Sequence, residues 1–295
     1  MIKIFTMNNK SLFYDLYKER GLGDAIYKPI NKRYLKLFRR IHSVAHLPFF
    51  HIWYTKEFRE INVNVYKTII IFDSSMSIIP ANFIKRRYPN LRVIFWHWNH
   101  IYNPKLYVKL DREIERWSYD SEDCKKYNLK FNTQFYFSSL YGRSEKKIER
   151  DCFFIGKEKG RGADIEYCKE VLEKAGLSKL FMVSGNSRKS LEKEWIDYDD
   201  VIEYISTSRC VVDIVPRSQR GMTLRPLEAL FHRKKLITNY VDIKSQPFYS
   251  PMNIFILNED DPRNLKEFIY LPFDKSVMRI SSYFDFDSWF KRFDI

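Results

Sequence analysis

Two segments in the second half of the chain place glycine and cations directly after apolar runs. The first reads FFIGKEKGR, in which Gly156 is followed by Lys157, Lys159 and Arg161. Glycine lets the backbone approach a ligand closely, and the free amides at the beginning of a following helix favour phosphate. Three cations in this loop would neutralise a diphosphate. The segment matches neither a Walker loop nor a strict dinucleotide-binding pattern, and a surface turn with solvated lysines is the alternative.

The second segment reads QRGMTLRPLEAL and follows the apolar run at residues 210–215. Gly221 frees the turn, and Thr223 is placed to cap the helix that follows. Arg225 and Glu228 lie three residues apart, so they share one helix face. An arginine near the beginning of a helix suits phosphate, and a carboxylate one turn later suits ribose hydroxyls. The alternative is a capped helix with an internal ion pair.

Strand and helix patterns alternate along the chain, and they determine where these segments lie. Short apolar runs predict strands at residues 2–5, 68–72, 91–96, 116–119, 135–137, 152–155, 180–183, 210–215, 235–238 and 253–257. Further segments predict helices at residues 12–19, 80–88, 105–110, 121–127, 164–175, 199–206, 223–232 and 261–268. The alternation indicates parallel sheets covered on both faces, so we predict two Rossmann-like α/β domains.

The length also favours two domains, since most single domains have ~100–200 residues and this chain has 295. We predict an N-terminal domain at residues 1–140, a linker at 141–151 and a C-terminal domain at 152–275. Residues 276–295 are predicted to form a terminal helix that packs back on the N-terminal domain. The four cysteines form no CxxC pair, which indicates reduced thiols that are partly buried.

Charge and hydropathy limit the partners and the compartment. The net charge of +14 attracts polyanions, which include nucleic acid, anionic lipid surfaces and phosphate-bearing substrates. There is no run of ~20 apolar residues and no signal-peptide pattern at the N-terminus, so we expect a cytoplasmic protein. Residues 28–54 mix cations with aromatic side chains, which suits an anionic membrane surface. An amphipathic helix with a solvated basic face is the alternative for that segment.

The C-terminal run, from FIGKEKGR through QRGMTLRPLEALFHRKKLITN to FYSPMNIFIL, resembles bacterial GT-B glycosyltransferases of lipopolysaccharide, capsule or exopolysaccharide assembly. The stretch SYDSEDCKKYNLKFNTQFY resembles the same group, whereas the first hundred or so residues match it only in architecture. The resemblance implies two Rossmann-like domains that face a cleft. It implies a nucleotide-diphosphate sugar bound by the C-terminal domain, at Gly156, Lys157, Lys159, Arg161, Gly221, Thr223, Arg225 and Glu228. A glycan or lipid-linked acceptor would be bound by the N-terminal domain.

The catalytic outcome stays open because the sequence departs from the common retaining pattern. Those families place two glutamates eight residues apart, whereas here Glu228 fits the second position and Arg220 occupies the first. Inverting transfer would need a base from the N-terminal domain. Asp73, His97 and His100 follow predicted strands and are the candidates, with a structural role as the alternative for each.

The resemblance also implies transfer without a metal ion or cofactor, because cations and helix dipoles hold the leaving diphosphate in GT-B enzymes. Two Asp-x-Asp triplets, at residues 197–199 and 285–287, are expected to serve other roles than metal binding. We expect a protein in the cytoplasm or at the inner face of the plasma membrane. A non-catalytic partner subunit with the same fold is the main alternative. A nucleic-acid-binding protein is the second, although no nucleic-acid-binding motif is present.

Overall fold

The computed structural model describes residues 1–7, 12–45, 47–74, 76–141, 146–184, 196–216 and 221–293. The chain forms two compact units, Met1–Asn132 and Thr133–Ile295. Each unit is built on a parallel β-sheet. The predicted limits of the domains and linker, and the packing of residues 276–295 on the N-terminal domain, stay predictions. Part of that linker, with Arg220, lies outside the described residues.

The sheet of the first unit contains β1 (Ile2–Thr6), β2 (Gly23–Ala25), β3 (Thr68–Phe72), β4 (Arg92–His97), β5 (Glu115–Ser118) and β6 (Lys130–Phe131). Its strand order is β2-β1-β3-β4-β5-β6. The predicted run TIIIF forms β3 and is buried at every residue, as expected for a strand covered on both faces. The order reverses between β1 and β3, so ligands are expected at the carboxyl ends of these two strands.

The helices of the first unit are α1 (Leu12–Glu19), α2 (Arg33–Val44), α3 (Lys56–Arg59), α4 (Ile78–Arg87) and α5 (Ser121–Tyr127). The segment predicted as a helix at residues 105–110 forms the 3-10 helix Pro104–Lys109, and a second 3-10 helix spans Phe50–Trp53. Helix α5 is capped by Asp120, whose carboxylate accepts the amides of Glu122 and Asp123. The cap therefore lies one residue before Ser121, where the sequence pattern placed the beginning of this helix.

The sheet of the second unit contains β7 (Arg150–Lys157), β8 (Lys179–Ser184), β9 (Ser208–Asp213), β10 (Lys235–Thr238) and β11 (Ile254–Ile256). The order is β11-β10-β9-β7-β8, so here the order reverses between β7 and β9. The helices are α6 (Gly162–Lys174), α7 (Tyr198–Ser206), α8 (Arg225–Phe231), α9 (Leu265–Tyr270), α10 (Ser281–Phe284) and α11 (Phe286–Lys291). The predicted strand and helix alternation of this half is thus present.

Two segments of the second unit differ from the sequence prediction for one shared reason. Residues 135–137, predicted as a strand, contribute only an isolated bridge between Tyr136 and Asp285. The amide of Tyr136 donates to the carbonyl of Phe284, and the amide of Phe286 donates to the carbonyl of Tyr136. Asp285 is consequently extended, and the terminal segment predicted as one helix is divided into α10 and α11.

Two further sequence expectations concern cysteines and membrane spans. Cys124, Cys152, Cys168 and Cys210 are all buried free thiols. Among the residues that the structure describes, none of the helices combines the length and the apolar character needed to cross a bilayer.

Candidate functional site

Two arginines that are distant in sequence meet at the reversal point of the second sheet. Arg161 is buried just before α6, and its guanidinium donates to the carbonyls of Lys157 and Ile214. Arg225 is the first residue of α8, and its Nη2 donates to the carbonyl of Ile155 at 3.3 Å. Each guanidinium therefore lies against the carboxyl end of β7, β9 or both. Open α/β sheets bind ligands at this position, and here two guanidinium groups lie there.

Arg225 is held in place by a buried ion pair. Its Nη1 donates to Oε2 of Glu228, and the Glu228 side chain is only 2% exposed against 19% for Arg225. The hydroxyl of Tyr198 donates to the other oxygen, Oε1 of Glu228, at 2.5 Å. Burial lowers the pKa of Arg225, but Glu228, Tyr198 and Asp213 together outweigh it, so that the pKa of Arg225 is raised. Arg225 is thus a permanently charged group that still reaches solvent.

The predicted contact between Glu228 and a ribose stays a prediction. Both of its carboxylate oxygens accept hydrogen bonds from protein groups, Arg225 on one side and Tyr198 on the other. The Tyr198 hydroxyl also lies 3.3 Å from that of Tyr136, which in turn lies 3.0 Å from Nε2 of His232. Glu228 is therefore the member of this series of polar side chains that contacts Arg225 and orients it.

Thr223 connects the beginning of α8 to the end of β9. Its hydroxyl accepts the amide of Arg225 at 3.2 Å and donates to Oδ2 of Asp213 at 2.9 Å. Burial raises the pKa of Asp213 to about 6, although the hydrogen bond from Thr223 and the two nearby arginines lower it. Gly221 is buried in the turn before α8. These contacts connect the backbone of Arg225, at the beginning of α8, to the carboxyl end of β9.

Two backbone amides near the glycine-containing loop after β7 donate hydrogen bonds to a side chain of the same loop. A Cβ at Gly156 would collide with the guanidinium of Arg161, so a larger residue here would displace that side chain. The carboxylate of Glu158 accepts the amides of Gly160 and Gly162, each at 3.0 Å. Those amides were expected to face a phosphate, and in this structure a carboxylate occupies that place.

The two lysines of the same loop differ from Arg161 in exposure. Lys157 and Lys159 are exposed, whereas Arg161 is buried. Lys159 and Gly160 both have positive φ angles, 46° and 75°, which turn the chain sharply before α6. Long lysine side chains on such a turn can reach a bound anion without moving the backbone. Diphosphate binding by these cations stays a prediction.

In the first unit, Asp73 and His97 belong to one buried network at the carboxyl ends of β3 and β4. Nδ1 of His97 lies 3.2 Å from Oδ2 of Asp73, and the hydroxyl of Tyr107 donates to the same oxygen at 2.8 Å. Nε of Arg116 donates to Nε2 of His97 at 3.4 Å. Nδ1 must then carry the proton and donate to Asp73. His97 is 0% exposed, so this network has the features of a structural unit.

His100 has a more open environment than His97. Its Nδ1 lies 3.3 Å from Oδ2 of Asp120 and 3.0 Å from Oδ2 of Asp123, and its side chain is 20% exposed. Both aspartates are buried, and Asp123 also accepts the amide of Ile101 at 2.8 Å. Two carboxylates beside one ring nitrogen hold the ring in position and leave Nε2 as the other ring nitrogen. Of the three predicted catalytic residues, His100 has the geometry of a supported general base.

The same three side chains are those that could hold a metal ion. One ligand atom each from His100, Asp120 and Asp123 lies within 4.8 Å of the others. Both carboxylates already contact Nδ1 of His100, and Asp120 is also the cap of α5. Transfer without a metal ion therefore stays a prediction.

Comparison with known proteins adds the overall architecture. No family model and no curated protein matches the chain. Among solved structures, HepE from Anabaena in complex with UDP-glucose superposes with a TM-score of 0.54 and 10% identity, covering 100% of this chain and 98% of that one. The apo form of the lipopolysaccharide outer core galactosyltransferase WaaB superposes with a TM-score of 0.50 and 11% identity, covering 99% and 98%.

This chain has the GT-B fold. The predicted α/β class with two Rossmann-like units is confirmed, and the resemblance inferred from the sequence agrees with it. At identities near a tenth, the likeness concerns the fold and leaves the chemistry to the site residues. Ligands are expected where the strand order of an open α/β sheet reverses, and Arg161 and Arg225 lie at that point of the second sheet. In the first sheet, of the three predicted catalytic residues, only Asp73 follows a strand of the reversal point, whereas His97 ends β4 and His100 follows it.

Several residues of these clusters did not emerge from the sequence. Asp213 is the last residue of β9, but the sequence predicted this strand to continue to residue 215, so the aspartate fell inside the predicted run. Asp120 precedes the helix predicted at residues 121–127 and Asp123 lies in it, and neither was assigned to a site. Tyr198 had no local signal, since its partner Glu228 lies 30 residues away.

Proposed function

We propose that this protein is a glycosyltransferase. It would move a sugar from a nucleotide-diphosphate donor to a polysaccharide or lipid-linked glycan acceptor in cell-surface glycan biosynthesis. The observation that carries the proposal is the GT-B fold over the whole chain, shared with a protein solved in complex with UDP-glucose. The paired arginines at the reversal point of the second sheet support it, because that is where a donor diphosphate would need positive charge.

The proposed donor site uses the cations according to their burial. Arg225 would contact the diphosphate directly, since it is charged and partly exposed. Lys157 and Lys159 would close over the phosphates from the exposed loop, and Arg161 would hold the two strand ends together. Fixed positive charge stabilises the negative charge that develops on the leaving nucleotide, which is the main catalytic contribution in such transfers. Glu228 would keep Arg225 in position.

The proposed base on the acceptor side is His100. Nε2 of His100 would accept the proton of the attacking hydroxyl, while Asp120 and Asp123 hold the ring through Nδ1. Asp73 and His97 would support the neighbouring strand ends.

The proposed acceptor is displayed at a membrane, and helix α2 supports this. Tyr34, Leu37, Phe38 and Ile41 follow helical spacing along one face, and each of these side chains is between 49% and 62% exposed. Arg33, Lys36 and Arg40 are exposed on the same helix. An apolar stripe that faces solvent between cations is typical of helices lying in the interface of anionic bilayers. The protein would then act at the inner face of the plasma membrane.

A thermal-shift screen with UDP-, GDP-, dTDP- and CMP-linked sugars tests the donor assignment. A donor at a hundredfold excess over its Kd should stabilise the fold by about 2.7 kcal/mol. Arg225→Ala should lose this stabilisation and most of the transfer, whereas Arg263→Ala, at an exposed arginine, should retain both. If no nucleotide sugar stabilises the wild-type chain, the donor site is refuted.

A non-catalytic partner subunit with the same fold is the second candidate. It is favoured by the amides of Gly160 and Gly162, which bind Glu158, and by Glu228, which binds protein groups. Donor hydrolysis separates the two candidates, because a subunit would turn over no donor under conditions in which a transferase slowly hydrolyses it.

A further inference from the structure

A groove of about 840 Å³ runs along helix α4 in the first unit. Its apolar lining consists of Phe50, Tyr54, Ile78, Ile79, Phe83 and Leu106. The volume lies within the ~300–1,000 Å³ range of small-molecule sites. The lining follows α4 from its first turn to its last, so the groove is elongated in the direction of the helix.

Cations line the same groove near the end of α4. Arg86 and Arg87 come from the last turn of the helix, and Lys109 comes from the end of the 3-10 helix Pro104–Lys109. None of the lining residues, all of which lie in the described part of the chain, is a carboxylate. The groove therefore offers a long apolar wall together with positive charge, which complements a hydrocarbon chain attached to an anion.

The polar side chains of the groove do not alter this character. Nδ2 of Asn82 donates to the carbonyl of Lys109 at 2.7 Å, and its Oδ1 accepts the amide of Asp111 at 2.9 Å. The amide of Asn82 is thus already used inside the protein. A ligand rich in hydrogen-bonding groups, such as a nucleotide base, would gain little from this wall.

The groove is continuous with the region of helix α2. Ser43 of α2 and His51 line it, and His51 stacks on Phe83 with ring centroids 6.1 Å apart. His42 of α2 packs edge-on against Phe50 at 5.2 Å. One wall of the groove is therefore built on the element whose apolar stripe is exposed to solvent.

We propose that this groove binds one molecule of anionic phospholipid from the membrane surface. The acyl chain would lie along α4, and the phosphate would contact Arg86, Arg87 and Lys109. The proposal rests on the membrane placement proposed above, and it is independent of the sugar transfer. It assigns to the first unit a lipid site that is separate from the donor site of the second unit.

Titration of the full chain with single-chain lipids below their critical micelle concentrations tests this site. Lysophosphatidylglycerol, which has one chain and one net negative charge, should bind in a one-to-one complex. Lysophosphatidylcholine with the same chain should bind about tenfold more weakly, because its headgroup carries no net charge. Glycerol phosphate alone should show no saturable binding. Equal affinity for the two lysolipids, or no binding of either, would overturn the proposal.

Variants of the groove locate the binding. Arg86→Glu combined with Arg87→Glu should weaken the binding of lysophosphatidylglycerol about tenfold. Ile79→Trp, which narrows the groove, should weaken the binding of both lysolipids. Lys125→Glu removes an exposed cation of α5 outside the groove and should have no effect. If the groove variants bind like the wild type, the lipid lies elsewhere and the proposal fails.

Two further measurements separate this site from the other proposals. Leu37→Glu combined with Ile41→Glu should abolish sedimentation with phosphatidylglycerol vesicles and leave lysophosphatidylglycerol binding intact. Loss of both would place the lipid on α2 and overturn the groove. Thermal stabilisation by a nucleotide sugar should be the same in groove variants and wild type. Lipid binding is measured without a nucleotide sugar, so a failure of the transferase proposal would not change the lipid result.

Discussion

The hydroxyl of Tyr198 donates a 2.5 Å hydrogen bond to the buried carboxylate of Glu228. Glu228 in turn pairs with Arg225, so a side chain from the beginning of α7 sets the position of a cation at the beginning of α8. The sequence placed Arg225 and Glu228 on one helix face, and the structure adds the element that fixes them. The proposed donor site thus depends on residues that need not touch the donor.

Tyr198→Phe should lower the free energy of unfolding by about 1.5–3 kcal/mol, because a hydrogen bond to a buried charged group is lost. Urea denaturation measures this change. Tyr167→Phe is the matched control, since Tyr167 is partly exposed on α6, and it should change the free energy of unfolding by less than about 0.5 kcal/mol. Equal effects of the two variants would show that the contact with Glu228 contributes nothing.

The stability of the second unit should depend on Asp213. Burial raises the pKa of this carboxyl to about 6 in the folded chain, above the ordinary value of 3.8. The folded state therefore binds more protons than the unfolded state between about pH 4 and 6, and Asp213 makes the protein less stable as the pH rises through this window. Asp213→Asn removes this dependence.

We subtract the free energy of unfolding of the wild type from that of Asp213→Asn at each pH. This difference should increase by about 2 kcal/mol from pH 4 to pH 7. Chemical denaturation of both proteins at each pH measures the difference, and other titrating groups cancel in the comparison. A difference that is constant with pH would mean that the pKa of Asp213 is the same in the folded and unfolded chain.

His100→Gln should keep the binding of the nucleotide sugar and lower transfer by ~10²–10⁴-fold, as expected for loss of a general base. His97→Gln should instead lower the melting temperature, because it disturbs the buried contacts with Asp73 and Arg116. Initial rates and thermal denaturation distinguish the two. If His97→Gln is stable but inactive while His100→Gln is active, the base belongs to the Asp73–His97 pair.

Removal of divalent ions with EDTA should leave the transfer rate unchanged, because Arg225 and the loop lysines would supply the charge that a metal ion gives in other transferases. The rate is measured before and after chelation and after addition of Mg²⁺ or Mn²⁺. The contrary result is a transfer rate that falls on chelation and recovers with Mn²⁺ in the wild type but not in Asp123→Asn. That result would assign an ion to the cluster of His100, Asp120 and Asp123.

The sequence predicted those parts of the molecule that depend on local patterns. Apolar runs such as TIIIF predicted the strands, and glycine with cations after a strand predicted which residues lie at the sheet edge. Contacts between distant segments could not be predicted. The break at Asp285 requires Tyr136, which lies far away in sequence, and nothing near Glu228 indicates that Tyr198 will donate to it.

The orientation of a side chain was also beyond the sequence. No role was assigned to Glu158 from the sequence, yet its carboxylate binds two amides of the loop after β7. Arg161 looked like a phosphate ligand, yet it is buried against the carbonyl of Ile214. Such orientations depend on which polar groups must be satisfied once the sheet has formed, and a linear pattern does not contain that information.

The central claim is that a nucleotide-diphosphate sugar binds where the carboxyl ends of β7 and β9 diverge. The most direct test is a crystal structure of the full chain with the nucleotide sugar that gives the largest thermal stabilisation. We predict electron density for the diphosphate at that position, within hydrogen-bonding distance of the Arg225 guanidinium. A nucleotide sugar bound elsewhere on the protein, with this edge of the second sheet filled by its own side chains, would contradict the claim.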